Sequence, residues 1–94
     1  MAQLNVDLVA ADRKIWSGDA RAVSAPAADG EIGILVNHSP LLSVLGEGTV
    51  RITGSNGEKV AVKVTGGFLS VDSNQVMLVV DDAEVLDGAG VSGH

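Results

Sequence analysis

Ninety-four residues, 46% apolar and without cysteine, make one small domain in which disulfides, zinc thiolate sites and thiol nucleophiles are excluded. Twelve Asp and Glu against six Lys and Arg leave a formal net charge of −6. Six scattered cations make no basic stripe of the kind that neutralises nucleic-acid phosphates or holds anionic lipid, so neither is an expected partner. The first residues lack the charged and apolar regions of a secretory signal, and no run approaches the roughly 20 apolar residues that span a bilayer.

Taken in chain order, the dominant signal is apolar alternation with period two. Leu4, Val6 and Leu8 alternate with Gln3, Asn5 and Asp7, which predicts a strand with one wet face. Asp12, Arg13 and Lys14 read as a polar turn, residues 15–18 resume extended structure, and residues 19–25 continue it past a bend at Gly18. Residues 26–30 hold Pro, Asp and Gly and are expected to be a loop. A short strand follows at residues 31–35, then a loop over residues 37–40 and a strand at Leu41–Leu45.

Gly46-Glu47-Gly48 turns the chain into two alternating runs, one with Val50 and Ile52, the other with Val60, Val62 and Val64. Asn56-Gly57 between them predicts a type I′ hairpin turn, which needs positive φ at both central residues. Gly66-Gly67 breaks the next connection. Phe68, Leu69 and Val71 form one strand and residues 76–80 another, with Asp72-Ser73-Asn74 turning between them. No segment keeps a 3.6-residue apolar period over three turns. The fold class is all-β, a flattened β-sandwich or barrel of about 8–10 short strands, since turn signals recur every 8–12 residues or so. The sandwich is assigned to residues 1–86, and the Gly-rich residues 87–94 to an irregular tail.

The residues carry little chemistry. His38 lies in a loop beside Ser39 and Pro40, without the rigid convergence of Ser, His and acid that a hydrolytic triad requires. Its simplest reading is a loop residue that caps a turn or faces solvent, and the next is a partner contact. The other histidine, His94, is the last residue. Asp81, Asp82 and Glu84 form a run read as a solvated strand end, and no acid group has the ligand spacing of a metal loop. Gly66-Gly67 and the glycines 30 and 33 lack the helix and lysine of a phosphate loop. Trp16 and Phe68, the only aromatics, are assigned to core strand positions, which leaves no aromatic platform for a ligand. Accordingly no catalytic residue, cofactor or metal is expected. A small-ligand or carbohydrate-binding sandwich is the alternative function.

Five segments read together narrow this further. They are Leu8-Val9-Ala10-Ala11-Asp12-Arg13 with Ile15-Trp16-Ser17-Gly18, Asp29-Gly30-Glu31-Ile32-Gly33-Ile34-Leu35, His38-Ser39-Pro40-Leu41-Leu42, Gly48-Thr49-Val50-Arg51-Ile52, and Gly66-Gly67-Phe68-Leu69-Ser70-Val71. In order and spacing they resemble the N-terminal domain of the epsilon subunit of the bacterial F-type ATP synthase, called delta in mitochondria. The resemblance implies a ten-stranded sandwich and a non-catalytic rotor subunit. Such a subunit binds gamma on one side and the polar loops of the membrane c-ring on the other, and couples proton-driven rotation to ATP synthesis. It implies c-ring contacts at Glu31, with Gly30 and Asp29 beside it, and gamma contacts at Ala10, His38 and Ser43. It also implies peripheral attachment at the cytoplasmic face of the plasma membrane, through the c-ring only.

Two departures stand out. Val36 occupies a position where the family usually has proline, and valine does not fix φ in the Asn37-His38 loop. At the C-terminus, Leu86-Asp87 is followed by Gly88-Ala89-Gly90 where most bacterial members carry an ATP motif with arginine and two helices. The resemblance is therefore to a short form, with no ATP binding expected.

Overall fold

The computed structural model describes residues 3–87. Nine strands account for the fold: β1 Leu4–Ala10, β2 Arg13–Ala27, β3 Gly30–Leu35, β4 Leu41–Leu45, β5 Gly48–Gly54, β6 Lys59–Val64, β7 Gly67–Asp72, β8 Gln75–Val80 and β9 Ala83–Asp87. β9 had no counterpart among the expected strands, and it carries ordered pairing through Asp87. The rest of the expected tail, His94 included, lies outside the described residues.

Pairing divides the strands into two layers. In the first, β1, β8, β7 and β4 lie side by side, and in the second β3, β2, β5, β6 and β9 do. All pairs are antiparallel except β1 with β8, which run parallel from Asn5↔Gln75 to Ala10↔Val80. The 15-residue β2 belongs to both layers. Its first half pairs with β1, as in Leu4↔Ala20 and Leu8↔Trp16, and its second half lies between β3 and β5. At its far end a single pairing, Ala27↔Leu45, closes the first layer on β4. Counted once in each layer, β2 raises the nine strands to the ten implied by the resemblance.

Three local expectations are corrected. β2 does not bend away at Gly18. It changes layers at Arg21, which has no partner in the β5 ladder because Ala20 faces Gly54 and Ala22 faces Thr53. Such an extra residue sharpens local twist, which lets one strand serve two sheets. Residues 13 and 14 are strand rather than turn, and so are Pro26 and Ala27, because β2 pairs with β3 as far as Ala27↔Gly30. The type I′ turn falls at Ser73-Asn74, with φ of 50° and 64°, and not at Asn56-Gly57. There only Gly57 has positive φ (91°), and the Gly57 N–H donates to the Gly54 carbonyl at 3.0 Å. This is a type I turn followed by a left-handed glycine, the usual three-residue hairpin loop.

The core lies between the layers. Leu4, Val6, Leu8, Ile34, Val50, Ile52, Val62, Leu69 and Leu78 are fully buried, and no polar or charged side chain is buried among the described residues. Each such aliphatic side chain is worth about 1.5–3 kcal/mol when taken from water. Trp16 is half-buried against this core, its ring over Gly18. Phe68, expected in the core, is 55% exposed. Leu69 and Val71 take the inward positions of β7, so alternation turns Phe68 outward. At Gly67, φ is 144° and a Cβ would be driven into the Val79 carbonyl, so only glycine lets β7 approach β8 here.

Candidate docking surfaces

The β2–β3 hairpin presents the expected acidic contact. Its loop is Ala28-Asp29, and Asp29, Gly30 and Glu31 are all exposed. Glu31 faces Pro26 across the ladder and lines an open depression of about 420 Å³ with Pro26, Gly30, Glu47, Thr49 and Arg51. Among the described residues no ion pair or side-chain hydrogen bond engages Asp29 or Glu31. Both carboxylates are thus free for a cation brought by another molecule.

The residues expected to face gamma are not gathered together. Ala10 is buried at the end of β1 opposite Val80. His38 lies at the other end of that layer, where its loop meets the β7–β8 turn. From Asn5 to Ala10 the strand rises about 17 Å, which sets the scale of their separation. Ser43 sits midway along β4, half-buried on the inward side opposite Leu69, its hydroxyl donating to the Val44 carbonyl at 3.4 Å. His38 is half-buried, with Nδ1 2.8 Å from the Ser39 carbonyl. A carbonyl only accepts, so Nδ1 carries the hydrogen.

What the structure does gather is an apolar surface on the outside of the first layer. In one cross-strand row Val44 faces Phe68, Phe68 faces Val79, and Val79 faces Val9. In the next row Leu42, Ser70, Met77 and Asp7 follow one another in the same way. Leu42 is 73% exposed, and Val44, Phe68, Met77 and Val79 are exposed with it. Asp7, Asp72, Gln75, Asn5 and Lys14 border the patch, with Lys14 Nζ 3.4 Å from Asp7 Oδ1. A contiguous apolar face with a polar rim is the usual form of a protein contact site.

Sequence reasoning passed over these residues although a signal was present. β4 reads Leu-Leu-Ser-Val-Leu and β8 reads Val-Met-Leu-Val-Val after its first residue. Nearly unbroken apolar runs mark strands covered on both faces. Here the fold covers only one face of each.

Among the described residues no group of three His, Asp or Glu could hold a metal ion, and no helix is long and apolar enough to cross a membrane.

Comparison with known proteins agrees with the two-layer architecture. Residues 3–85 match the family model of the ATP synthase delta/epsilon chain β-sandwich domain. The chain is 47% identical over 89 residues to the ATP synthase epsilon chain of Micrococcus luteus, covering 95% of this chain and 98% of that one. It is 48% identical over 86 residues to the epsilon chain of Streptomyces avermitilis, covering 92% of this chain and 69% of that one. For the epsilon chain of Rhodococcus opacus the identity is 42% over 92 residues, with 97% and 75% covered. Among solved structures, the Euglena gracilis mitochondrial ATP synthase OSCP/F1/c-ring assembly contains a similar chain, with a TM-score of 0.84 at 24% identity. The alignment covers 90% of this chain and 54% of that one. The central stalk/c-ring of the Tetrahymena thermophila mitochondrial enzyme contains another, with a TM-score of 0.71 at 21% identity and coverage of 86% and 65%. At these identities the structural likeness speaks to the fold.

Proposed function

Since the chain belongs to the ATP synthase delta/epsilon chain family, we propose that it serves as a non-catalytic subunit of the central stalk, carrying torque from the c-ring to gamma. The observation that carries this reading is the apolar outer face of β4, β7 and β8. Leu42, Val44, Phe68, Met77 and Val79 form a surface a solitary domain has no use for, and gamma is the occupant we assign to it. The exposed Asp29-Gly30-Glu31 hairpin is assigned to the basic polar loops of the c-ring, by charge complementarity. His38 contributes to the gamma contact from the loop that leads into β4.

The physical requirement on such a part is stiffness. An all-aliphatic interior packed between two layers, with β2 woven through both, has low compressibility and transmits load. Attachment to the membrane is peripheral and passes through the c-ring, at the cytoplasmic face of a bacterial plasma membrane. The ligand- or carbohydrate-binding alternative loses support, since Trp16 is engaged with the core and Phe68 is left as a lone exposed aromatic on the outer face of β7, too little for an aromatic platform.

The test is reconstitution. Vesicles carrying the ATP synthase without this chain should fail to couple an imposed proton gradient to ATP synthesis, and adding the chain should restore coupling. Coupling that is normal in its absence would overturn the proposal.

A further inference from the structure

We propose that Asn74, on the β7–β8 turn, is the positioning residue of the His38 loop. The inference rests on the docking role assigned to His38 above.

The loop begins with a β-turn. The His38 N–H donates to the Leu35 carbonyl at 3.1 Å, and Asn37, third of the four residues, has φ of 67°. Positive φ at that residue alone defines a type II turn, whose second position favours proline and whose third favours glycine. Here the second is Val36 and the third Asn37, so neither residue locks the turn by its own covalent geometry.

The lock comes from across the molecule. The Asn37 N–H donates to Asn74 Oδ1 at 2.7 Å, and Asn74 Nδ2 donates back to Asn37 Oδ1 at 3.4 Å. The Asn74 carbonyl accepts from the Asn5 N–H at 2.8 Å. One residue thus ties the loop between the layers to the turn of β7–β8 and to the start of β1. Asn74 itself has φ of 64°, which glycine also adopts without cost. Its backbone conformation therefore calls for asparagine or glycine, and only the clasp calls for the amide side chain.

That distinction sets the experiment. Asn74→Gly keeps the turn and deletes the clasp. Hydrogen exchange at the His38 amide, which does not touch Asn74, should quicken about tenfold on losing the two side-chain bonds. Affinity for recombinant gamma should fall by about three- to tenfold, with the thermal midpoint little changed. Adding Val36→Pro should recover both readings, because proline at the second position rebuilds the turn from within and Leu35 before it is already extended. Asn74→Asp keeps the acceptor for the Asn37 N–H and should fall between wild type and Asn74→Gly.

Unchanged His38 exchange in Asn74→Gly would overturn the clasp. Quickened exchange with undiminished affinity would overturn the positioning role, provided His38→Ala weakens gamma binding. If His38→Ala leaves binding intact, it is the docking role of His38 that fails. Failure of Val36→Pro to restore affinity while it restores slow exchange would likewise overturn the link between loop order and docking.

Discussion

The two layers of this sandwich bury similar aliphatic faces and turn very different ones outward. Outside β3, β2, β5 and β6 stand Glu31, Gly33, Ala22, Ser24, Arg51, Thr53, Lys59 and Lys63, small, hydroxylated or charged residues, with Leu35 at the end of β3 the single exposed large apolar side chain among the described residues of these four strands. Lys63 there faces Glu84 of β9, an opposite-charge pair suited to water. Outside β4, β7 and β8 stand Leu42, Val44, Phe68, Met77 and Val79. Stability does not require this asymmetry, since the interior is complete without either outer face. An antiparallel sheet with one free face normally alternates apolar and polar residues. Where it does not, the second face answers to a partner, and the contrast supports the proposed docking of gamma on the first layer, while the second mostly meets water outside the Asp29-Gly30-Glu31 hairpin proposed for the c-ring.

The contrast can be pressed from its strongest consequence to its weakest. Along β8, Leu78 points in and Met77 points out. Leu78→Ala should lower unfolding free energy by about 2–5 kcal/mol in chemical denaturation, while Met77→Ala should cost about 0.5 kcal/mol or less. Equal costs would mean that the outer face is part of the core. Next comes binding. Phe68→Ser should weaken gamma affinity by about 30-fold or more in a titration, as expected for a central aromatic anchor. Thr53→Glu, on the other outer face, should leave that affinity within about twofold. A reversed order would exchange the roles of the layers. The smallest effect belongs to the hairpin. Glu31→Lys should reduce c-ring association by about three- to tenfold at low salt and progressively less as salt is raised, because exposed charges are screened within about 10 Å at 0.1 M. An effect independent of ionic strength would show that Glu31 acts by shape rather than charge.

Legibility from sequence was uneven, and the reasons are physical. The alternation in Leu4-Asn5-Val6-Asp7-Leu8 and in Val60-Ala61-Val62-Lys63-Val64 marked inward faces that the structure buries. Turn chemistry was less decisive. Asn-Gly favours a type I′ turn, but at Asn56-Gly57 the hairpin takes one more residue and needs only one positive φ. The type I′ geometry went to Ser73-Asn74, where Asp72 and Gln75 pair directly and leave two residues to turn. Pro26 looked like a loop residue and is strand, because it lies at the far end of β2, paired with Glu31 on the β3 side. Of the residues expected to meet partners, Asp29, Gly30 and Glu31 lie together on one hairpin because they adjoin in sequence. Ala10, His38 and Ser43 do not, because three different elements carry them. Phe68 was misplaced by its apolar character alone, when the parity of β7 already turned it outward.

The amino-acid sequence by itself determined the class of this protein. β-branched side chains at period two, glycine at the corners and the absence of any helical period admit only a small all-β sandwich or barrel, and five motifs in register point to its family. These are local properties, set by backbone preference and by which neighbour a side chain can reach. Which strands lie together, that β2 serves both layers, that one outer face is apolar and that Asn74 reaches Asn37 were decided only by the tertiary structure. They depend on contacts between residues far apart in the chain, and pairing in a sheet is fixed by the joint burial of all its members rather than by any one segment.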